Sequence, residues 1–356
     1  MSNRRFSEYE RETMYRCAVR YYIYEEKQTD ISSKLGITRQ KVSDYLKYAP
    51  KEGILDIKAP RTYKLEGELI KECRLWDARI VMVNGDLPED GAENRIIKAL
   101  GAEAASYFEE KIKDGAVVGL SGGRTIGQMV SQLNLEKYRE LEVLPLSIGG
   151  GAPEIVDVAS NTLVGIMCMR GDNVKGWALQ LPPLTASAEE AERERDEMLS
   201  RPGIREIYER AMNVDFGFAG IGYLGPEDPD STLVRTIKGL IPNPDSLIEN
   251  LRAAKAVGDL AYQAFNIHGD IIDCELNRRV VAVPLKQFQE IVRNPNKHIV
   301  AVAGGHTNTK AGPILGAIRG GLIDVIISDE YTADEVLRLK RFVGLSPNNH
   351  SGREVK

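Results

Sequence analysis

Gly119-Leu-Ser121-Gly122-Gly123-Arg124-Thr125 sets two adjacent glycines and three side-chain donors between an apolar run and a stretch with helical spacing. Where a strand of an open α/β sheet gives way to a helix, free N–H groups and the helix N-terminus favour an anion such as phosphate. Gly122 and Gly123 let the backbone come close, while Ser121, Arg124 and Thr125 add donors. Gly304-Gly305-His306-Thr-Asn-Thr-Lys310 repeats the arrangement after another apolar run, with His306 and Lys310 as cations. A phosphorylated small molecule spanning both loops is their simplest common cause. The alternative at each is a tight strand-to-helix turn that uses glycine for its backbone angles alone.

Other chemistries compete for these residues. Gly119-Leu-Ser121-Gly-Gly123 matches the G-x-S-x-G nucleophile elbow, with Asp273 or Asp324 and His298, His306 or His350 as conceivable triad partners. It is not a Walker loop, because no Lys-Ser/Thr pair stands at the required spacing after Gly119. Gly220-Ile-Gly222-Tyr-Leu-Gly225 has the GxGxxG dinucleotide pattern, but Pro226-Glu-Asp-Pro229 follows at once and leaves no helix N-terminus for a pyrophosphate. Cys17, Cys73, Cys168 and Cys274 are scattered, with no CxxC and no His at metal-ligand spacing. Neither a disulfide framework nor a metal site is expected, and no cofactor is implied.

These loops need a scaffold. From Ala78 onward short β-branched runs alternate with helical stretches, which predicts an α/β domain, doubly wound around a mostly parallel sheet. The expected strands are Arg79–Val83, Ala116–Leu120, Val143–Ile148, Val214–Ile221, Val280–Val283, His298–Ala303 and Asp324–Ser328. The charge-dense Ala186–Ser200 reads as a helix with a solvated face. Leu65–Leu75 reads as a connecting helix, a natural place for subunits to meet, and Pro60-Arg61 as a linker before it. With 356 residues, 42% of them hydrophobic, the chain can form a small domain plus one full-sized domain with its own core. The expected division is 1–58, a linker and connecting helix at 59–77, and 78–356. No apolar run approaches the roughly 20 residues of a membrane helix. The first residues, MSNRRFSEYERE, lack the apolar segment of a secretory signal, so a cytoplasmic location with no membrane partner is expected.

The small domain has its own signature in Thr29–Tyr48. Ile31 and Leu35 fall on one face of a first helix that Thr29 could cap, and Gly36 could end it. Thr38 could cap a second helix in which Val42, Tyr45, Leu46 and Ala49 recur at helical spacing. A preceding helix over Glu8–Glu26, with Met14, Cys17, Ala18 and Tyr21 on one face, would close a three-helix core. Arg39, Gln40, Ser43 and Lys47 are left as a polar stripe. In a helix-turn-helix, Arg39 and Gln40 would reach base edges in the major groove, and Ser43 and Lys47 would touch phosphate. Thr29, Thr38, Lys41 and Asp44 complete the set of residues facing double-stranded DNA. An ordinary amphipathic hairpin is the competing reading. Charge bears on the choice: residues 1–60 carry 12 Lys and Arg against 9 Asp and Glu, in a chain of net charge −5. A basic head on an acidic body suits a segment that meets a polyanion and a body that does not.

Taken together, the chain resembles the SorC family of bacterial transcriptional regulators. The motifs are YYIYEEKQTDISSKLGITRQKVSDYL, VGLSGGRTI, LSIGGGA, the GIG loop ahead of Ser231-Thr-Leu-Val-Arg235, AVGDLAYQAFNIHGDII, AVAGG followed by Lys310, and IISDEYTADEVL. The resemblance implies a helix-turn-helix joined to an effector domain like those of glucosamine-6-phosphate deaminase and sugar-phosphate isomerases. It also implies a sugar or sugar-phosphate effector, a homo-oligomer up to a tetramer, and no catalysis. By the same resemblance, Ser121–Thr125 and Lys310 match phosphate contacts. Asn161, Arg235 and Asp259 match positions that meet hydroxyls or a second anionic end. Gly149, Gly150, Gly222, Gly304, Gly305 and His306 belong to the same loops. Two departures stand out: the usual GG-x-x-K is lengthened by two residues before Lys310, and Asp44 replaces a common Arg. Deaminases follow their GIG with a Gly-His segment, whereas this chain has Tyr223-Leu-Gly-Pro-Glu-Asp.

Overall fold

The computed structural model describes residues 6–55, 61–83, 92–147, 153–178, 185, 187–224, 232–241, 244–305 and 308–343. The chain divides into two compact units, Met1–Lys58 and Ala59–Lys356.

In the first unit, α1 (Glu8–Ala18) opens with a capping box in which Ser7 and Glu10 satisfy each other's free N–H groups. It runs into a π-helical turn, Val19–Ile23, so the helix expected to continue to Glu26 is broken there. α2 (Gln28–Leu35) and α3 (Arg39–Tyr48) follow, joined through Gly36, whose φ of 64° is left-handed and suits a residue without Cβ. Met14, Cys17, Ala18, Ile31, Val42, Tyr45, Leu46 and Ala49 form the core of this unit. Thr29 does not cap α2. The helix starts two residues earlier than that cap would place it, after Lys27, whose carbonyl accepts the N–H groups of Asp30 and Ile31.

The second unit begins with α4 (Tyr63–Cys73) and β1 (Asp77–Val81), tied together by Glu66, which accepts from Ile80 N at 2.8 Å and pairs with Arg61. Next come α5 (Ala92–Lys111), β2 (Val117–Leu120), α6 (Arg124–Gln132), β3 (Leu141–Pro145), α7 (Ser160–Arg170) and β4 (Val174–Gly176). α8 (Ala188–Ser200), α9 (Pro202–Ala211), β5 (Phe216–Ala219), β6 (Ile221–Tyr223), α10 (Thr232–Leu240) and α11 (Pro244–Ala253) continue the chain. It closes with β7 (Ala256–Leu260), β8 (Gln263–Asn266), α12 (Glu275–Arg279), α13 (Leu285–Arg293), β9 (His298–Val302), α14 (Ala311–Arg319), β10 (Val325–Asp329) and α15 (Glu330–Val343).

Seven strands form one sheet in the order β1-β10-β9-β5-β2-β3-β4, and every pairing in it is parallel. Runs such as HIVAV and VIISD are buried along their whole length, as strands covered on both faces must be. Residues alternate between two cores. Ile299 and Ala301 face one that includes Phe288, Ile314 and Leu337, while Val300 and Val302 face another that includes Leu100, Phe108 and Met129. β6, β7 and β8 make a separate antiparallel sheet. Among the described residues no helix is long and apolar enough to cross a membrane.

Several expected strands differ. Val214–Ile221 is not one strand: it splits at Gly220 into β5 and β6, which belong to different sheets. Val280–Val283 does not form a continuous strand: Val280 and Ala282 make isolated bridges, that of Ala282 with Ser147, and Val283 N donates to Leu146 O at 2.9 Å. Its backbone groups are satisfied elsewhere, with Tyr208 Oη donating to Ala282 O and Gln263 Nε2 to Val283 O. The strands β4, β7 and β8 were not expected.

Candidate functional site

In the parallel sheet, β2 and β5 are neighbours whose onward connections diverge, from β2 to β3 and from β5 to β9. The crevice beyond the carboxyl ends of two such strands is where open α/β sheets hold ligands. The Ser121 loop leaves β2 there and the Gly220 loop leaves β5. They lie side by side: Ser121 N donates to Phe218 O at 2.9 Å, and a Cβ on Gly220 would stand 3.8 Å from Gly122 O.

Ser121 is buried, with its hydroxyl turned onto Gly122 O. Gly123 precedes the first turn of α6 and its N–H donates to Val158 O at 2.8 Å. Gly122 is also pressed against the start of α7, where its Cβ would meet Val158 O at 2.9 Å and Ser160 N at 3.4 Å. Two helix N-termini therefore open beside Gly122, and both favour negative charge. Thr125 lies in the first turn of α6 and Asn161 in that of α7, both half-buried. Arg124 is exposed and already engaged by Glu93 at 2.6 Å, so reaching an anion means leaving that partner.

Lys310 enters from the opposite loop, at the end of a short 3-10 turn, and donates from Nζ to Ile221 O at 2.9 Å. Asp259 on β7 pairs with Gly222 on β6, and its carboxylate fills the space above that glycine; a Cβ on Gly222 would lie 1.8 Å from Asp259 Oδ1. A side chain at 222 would have to displace the Asp259 carboxylate. Asp259 is buried, and its Oδ1 has no hydrogen-bond partner among the described residues. Burial pushes its pKa up from 3.8 to about 6, while the Lys310 charge and the Tyr262 N–H pull it back. Tyr262 and Ala261, which turn the chain from β7 to β8, both have left-handed φ, 65° and 49°, at a cost for residues with a Cβ. Arg235 is half-buried on α10, one residue before the buried Thr236 that hydrogen-bonds Tyr262.

The structure thus brings together Ser121, Gly122, Gly123, Gly222, Asp259 and Lys310, with Thr125 and Asn161 on adjoining helix starts. Gly304 and Gly305 follow β9 in the loop that leads to Lys310. Gly149, Gly150 and His306 lie outside the described residues. Ser147 and Ser160, not among the residues expected here, hydrogen-bond to each other through their hydroxyls between β3 and α7. Asp329 is a second unexpected participant, its buried carboxylate accepting the Gly305 N–H. The one local signal at Asp329 is an Asp ending an apolar strand with Thr three residues on, a helix-capping pattern.

Among the described residues no nucleophile elbow assembles around Ser121; His306 and His350 lie outside them. His298 and Asp324 do pair, at 2.8 Å, but at the amino ends of their strands. His298 is level with Phe216 and Val118, so it stands about 10 Å along the strands and about 10 Å across them from Ser121. Asp273 is held by Arg278. Among the described residues no group of His, Cys, Asp and Glu could hold a metal ion.

The first unit presents a second surface. Thr38 caps α3, its hydroxyl accepting from Lys41 N at 3.1 Å. Val42, Tyr45 and Leu46 are buried, and Arg39, Gln40, Lys41, Ser43, Asp44 and Lys47 are exposed. Gln40 donates to Asp44 at 3.1 Å, and Lys41 lies over the Tyr45 ring. Among the described residues the side chains of Arg39, Ser43 and Lys47 have no hydrogen bond or ion pair, which leaves them available to a partner. Thr29 is exposed in the first turn of α2.

A family model described as "Putative sugar-binding domain" matches residues 58–338. The Deoxyribonucleoside regulator of Bacillus subtilis is 25% identical over 318 residues, covering 88% of this chain and 93% of that protein. The Sorbitol operon regulator of Klebsiella pneumoniae is 23% identical over 330 residues, covering 89% and 95%. The crystal structure of the full-length sorbitol operon regulator SorC from Klebsiella pneumoniae superposes with a TM-score of 0.67 at 21% identity, over 94% of this chain and all of that one.

Proposed function

Because the chain belongs to the SorC family of regulators with a sugar-binding domain, we propose that it controls carbohydrate genes, binding operator DNA through α3 under the control of a sugar or sugar phosphate. One observation carries this reading: the sugar-binding model spans only 58–338, and the residues before it fold separately into a helix-turn-helix whose polar stripe has Arg39, Ser43 and Lys47 unengaged among the described residues. Arg39 and Gln40, in the first turn of α3, read base edges, with Gln40 giving up Asp44 to do so; Ser43 and Lys47 grip phosphates.

In the second unit an anionic group of the effector sits at the starts of α6 and α7, against Ser121, Gly122, Gly123 and Thr125, and draws on Lys310 and Arg124. Asp259 Oδ1, buried and without a partner among the described residues, accepts an effector hydroxyl. Asn161 and Arg235 meet the rest of the molecule. The effector shifts DNA binding only by its difference in affinity for the two states of the protein, about 1–3 kcal/mol in typical cases. A homo-oligomer, dimer or tetramer, presents headpieces to paired half-sites, so the operator is a palindrome or a pair of repeats.

Turnover by an isomerase or deaminase route is disfavoured, because Tyr223-Leu224 follows the GIG loop where a histidine would be needed to work on an open-chain sugar. The separation of Ser121 from the His298–Asp324 pair speaks against a hydrolase.

The test is fluorescence anisotropy on the protein's own promoter DNA and a scrambled duplex, with and without a panel of sugars, polyols and their phosphates. Preference for the promoter, altered by at least one compound, is expected. Arg39→Ala should lose that preference while still binding the compound, and Lys310→Ala should keep it while binding the compound more weakly. Equal affinity for both duplexes under every condition would end the proposal.

A further inference from the structure

We propose that Asp329 is the positioning residue of the effector site, a role that rests on the reading of the Lys310 loop as part of that site. β9 and β10 are neighbours, and the loops at their carboxyl ends are cross-tied by the last two residues of β10. Ser328 Oγ donates to Ala303 O at 2.7 Å. Asp329 Oδ2 accepts from Gly305 N at 2.9 Å and from Thr332 Oγ1 at 2.8 Å, and Oδ1 accepts from Thr332 N at 2.9 Å. Asp329 is fully buried, and among the described residues no cation pairs with it.

Capping α15 needs only the bond from Thr332 N, which an Asn would accept equally well. The second oxygen is committed to another strand, where it fixes the peptide that starts the run to Lys310. Gly304 is fitted to this tie, since a Cβ there would lie 2.1 Å from Asp329 Oδ2. A carboxylate buried without a counter-charge is costly unless its hydrogen bonds are complete. Here one of those bonds belongs to the effector loop. Asp329 itself touches no ligand: it sets where the Gly304-Gly305 backbone leaves β9, and through it where Lys310 can reach.

Asp329→Asn separates the two roles. The amide oxygen can keep the α15 cap, while the amide NH2 then faces the Gly305 N–H, donor against donor. Gly304→Ala presses on the same carboxylate from the loop side while every hydrogen-bonding group is retained, and Thr332→Val removes only the hydroxyl bond on the helix side. Binding of inorganic phosphate is measured by isothermal titration on the full chain, with Lys310→Ala as reference and thermal unfolding recorded for each variant. Asp329→Asn and Gly304→Ala should each weaken phosphate by about tenfold, the scale of one lost buried hydrogen bond, and Thr332→Val should leave it near the parent value. Parent-like phosphate binding in both loop-tie variants overturns the proposal, as does an equal loss in Thr332→Val, which would mean a purely structural role. If the parent itself binds no phosphate, or Lys310→Ala binds it as well as the parent, the reading of the site falls and the proposal with it.

Discussion

Asp259→Asn tests the electrostatics of the crevice directly. The parent carboxyl has its pKa raised from 3.8 to about 6, chiefly by burial. A carboxyl raised in the folded state stabilises the fold fully below its unfolded pKa and loses that contribution as pH rises through the folded value. The shift of about two units, at about 1.4 kcal/mol each, sets a ceiling of about 3 kcal/mol. Between about pH 7.5 and about pH 4.5 the parent should gain roughly 2 kcal/mol from this group, and an Asn of the same shape should gain none of it. Both tryptophans, Trp76 and Trp177, lie in the second unit, so their fluorescence follows its unfolding without signal from the first. Urea titrations of parent and variant at the two pH values give the comparison. The stability difference between them should move by roughly 2 kcal/mol in favour of the variant as pH rises. Parallel pH profiles would refute the assignment of a raised carboxyl at 259. A loss of effector affinity in the variant at neutral pH would be the binding counterpart, since the amide cannot replace both acceptor oxygens.

Glu93→Gln releases Arg124 from an exposed ion pair worth no more than about 1 kcal/mol, so phosphate affinity should rise by up to about fivefold in a titration at low salt. Thr38→Ala removes the cap of α3 and should destabilise the first unit by about 1 kcal/mol, visible as earlier loss of helical circular dichroism while the tryptophan signal is unchanged. Gly222→Ala drives a methyl into Asp259 and should lower the stability of the second unit by about 2 kcal/mol or more, with effector binding lost at permissive temperature.

What could be read in the sequence was local. Thr38 accepts from Lys41 N, and Val42, Tyr45 and Leu46 are buried, because caps and helical faces are set within a few residues. Strands buried on both faces announce themselves as unbroken apolar runs, so β2, β9 and β10 were visible. β4 has three residues, and β7 is interrupted by Gly258 and Asp259, so neither carries a pattern. Val280–Val283 has the composition of a strand but meets its neighbour beyond β3 only in isolated contacts, which composition does not encode. The same division holds at the candidate site. The glycines and donors of Ser121–Thr125 are contiguous, whereas the Asp329–Gly305 bond joins residues 24 apart and the crevice depends on strand order. Arg124 looked free because its partner Glu93 is 31 positions away.

The crevice is assembled from what emerges beyond the strands, not from the strands themselves, and this shapes how such a protein can diversify. If the proposed site is right, replacing a side chain on one of these loops changes what is held while the seven-stranded interior keeps its packing. Descent therefore hands on the address of the pocket more faithfully than the identity of its guest. Lineages that kept one scaffold can come to answer to different nutrients.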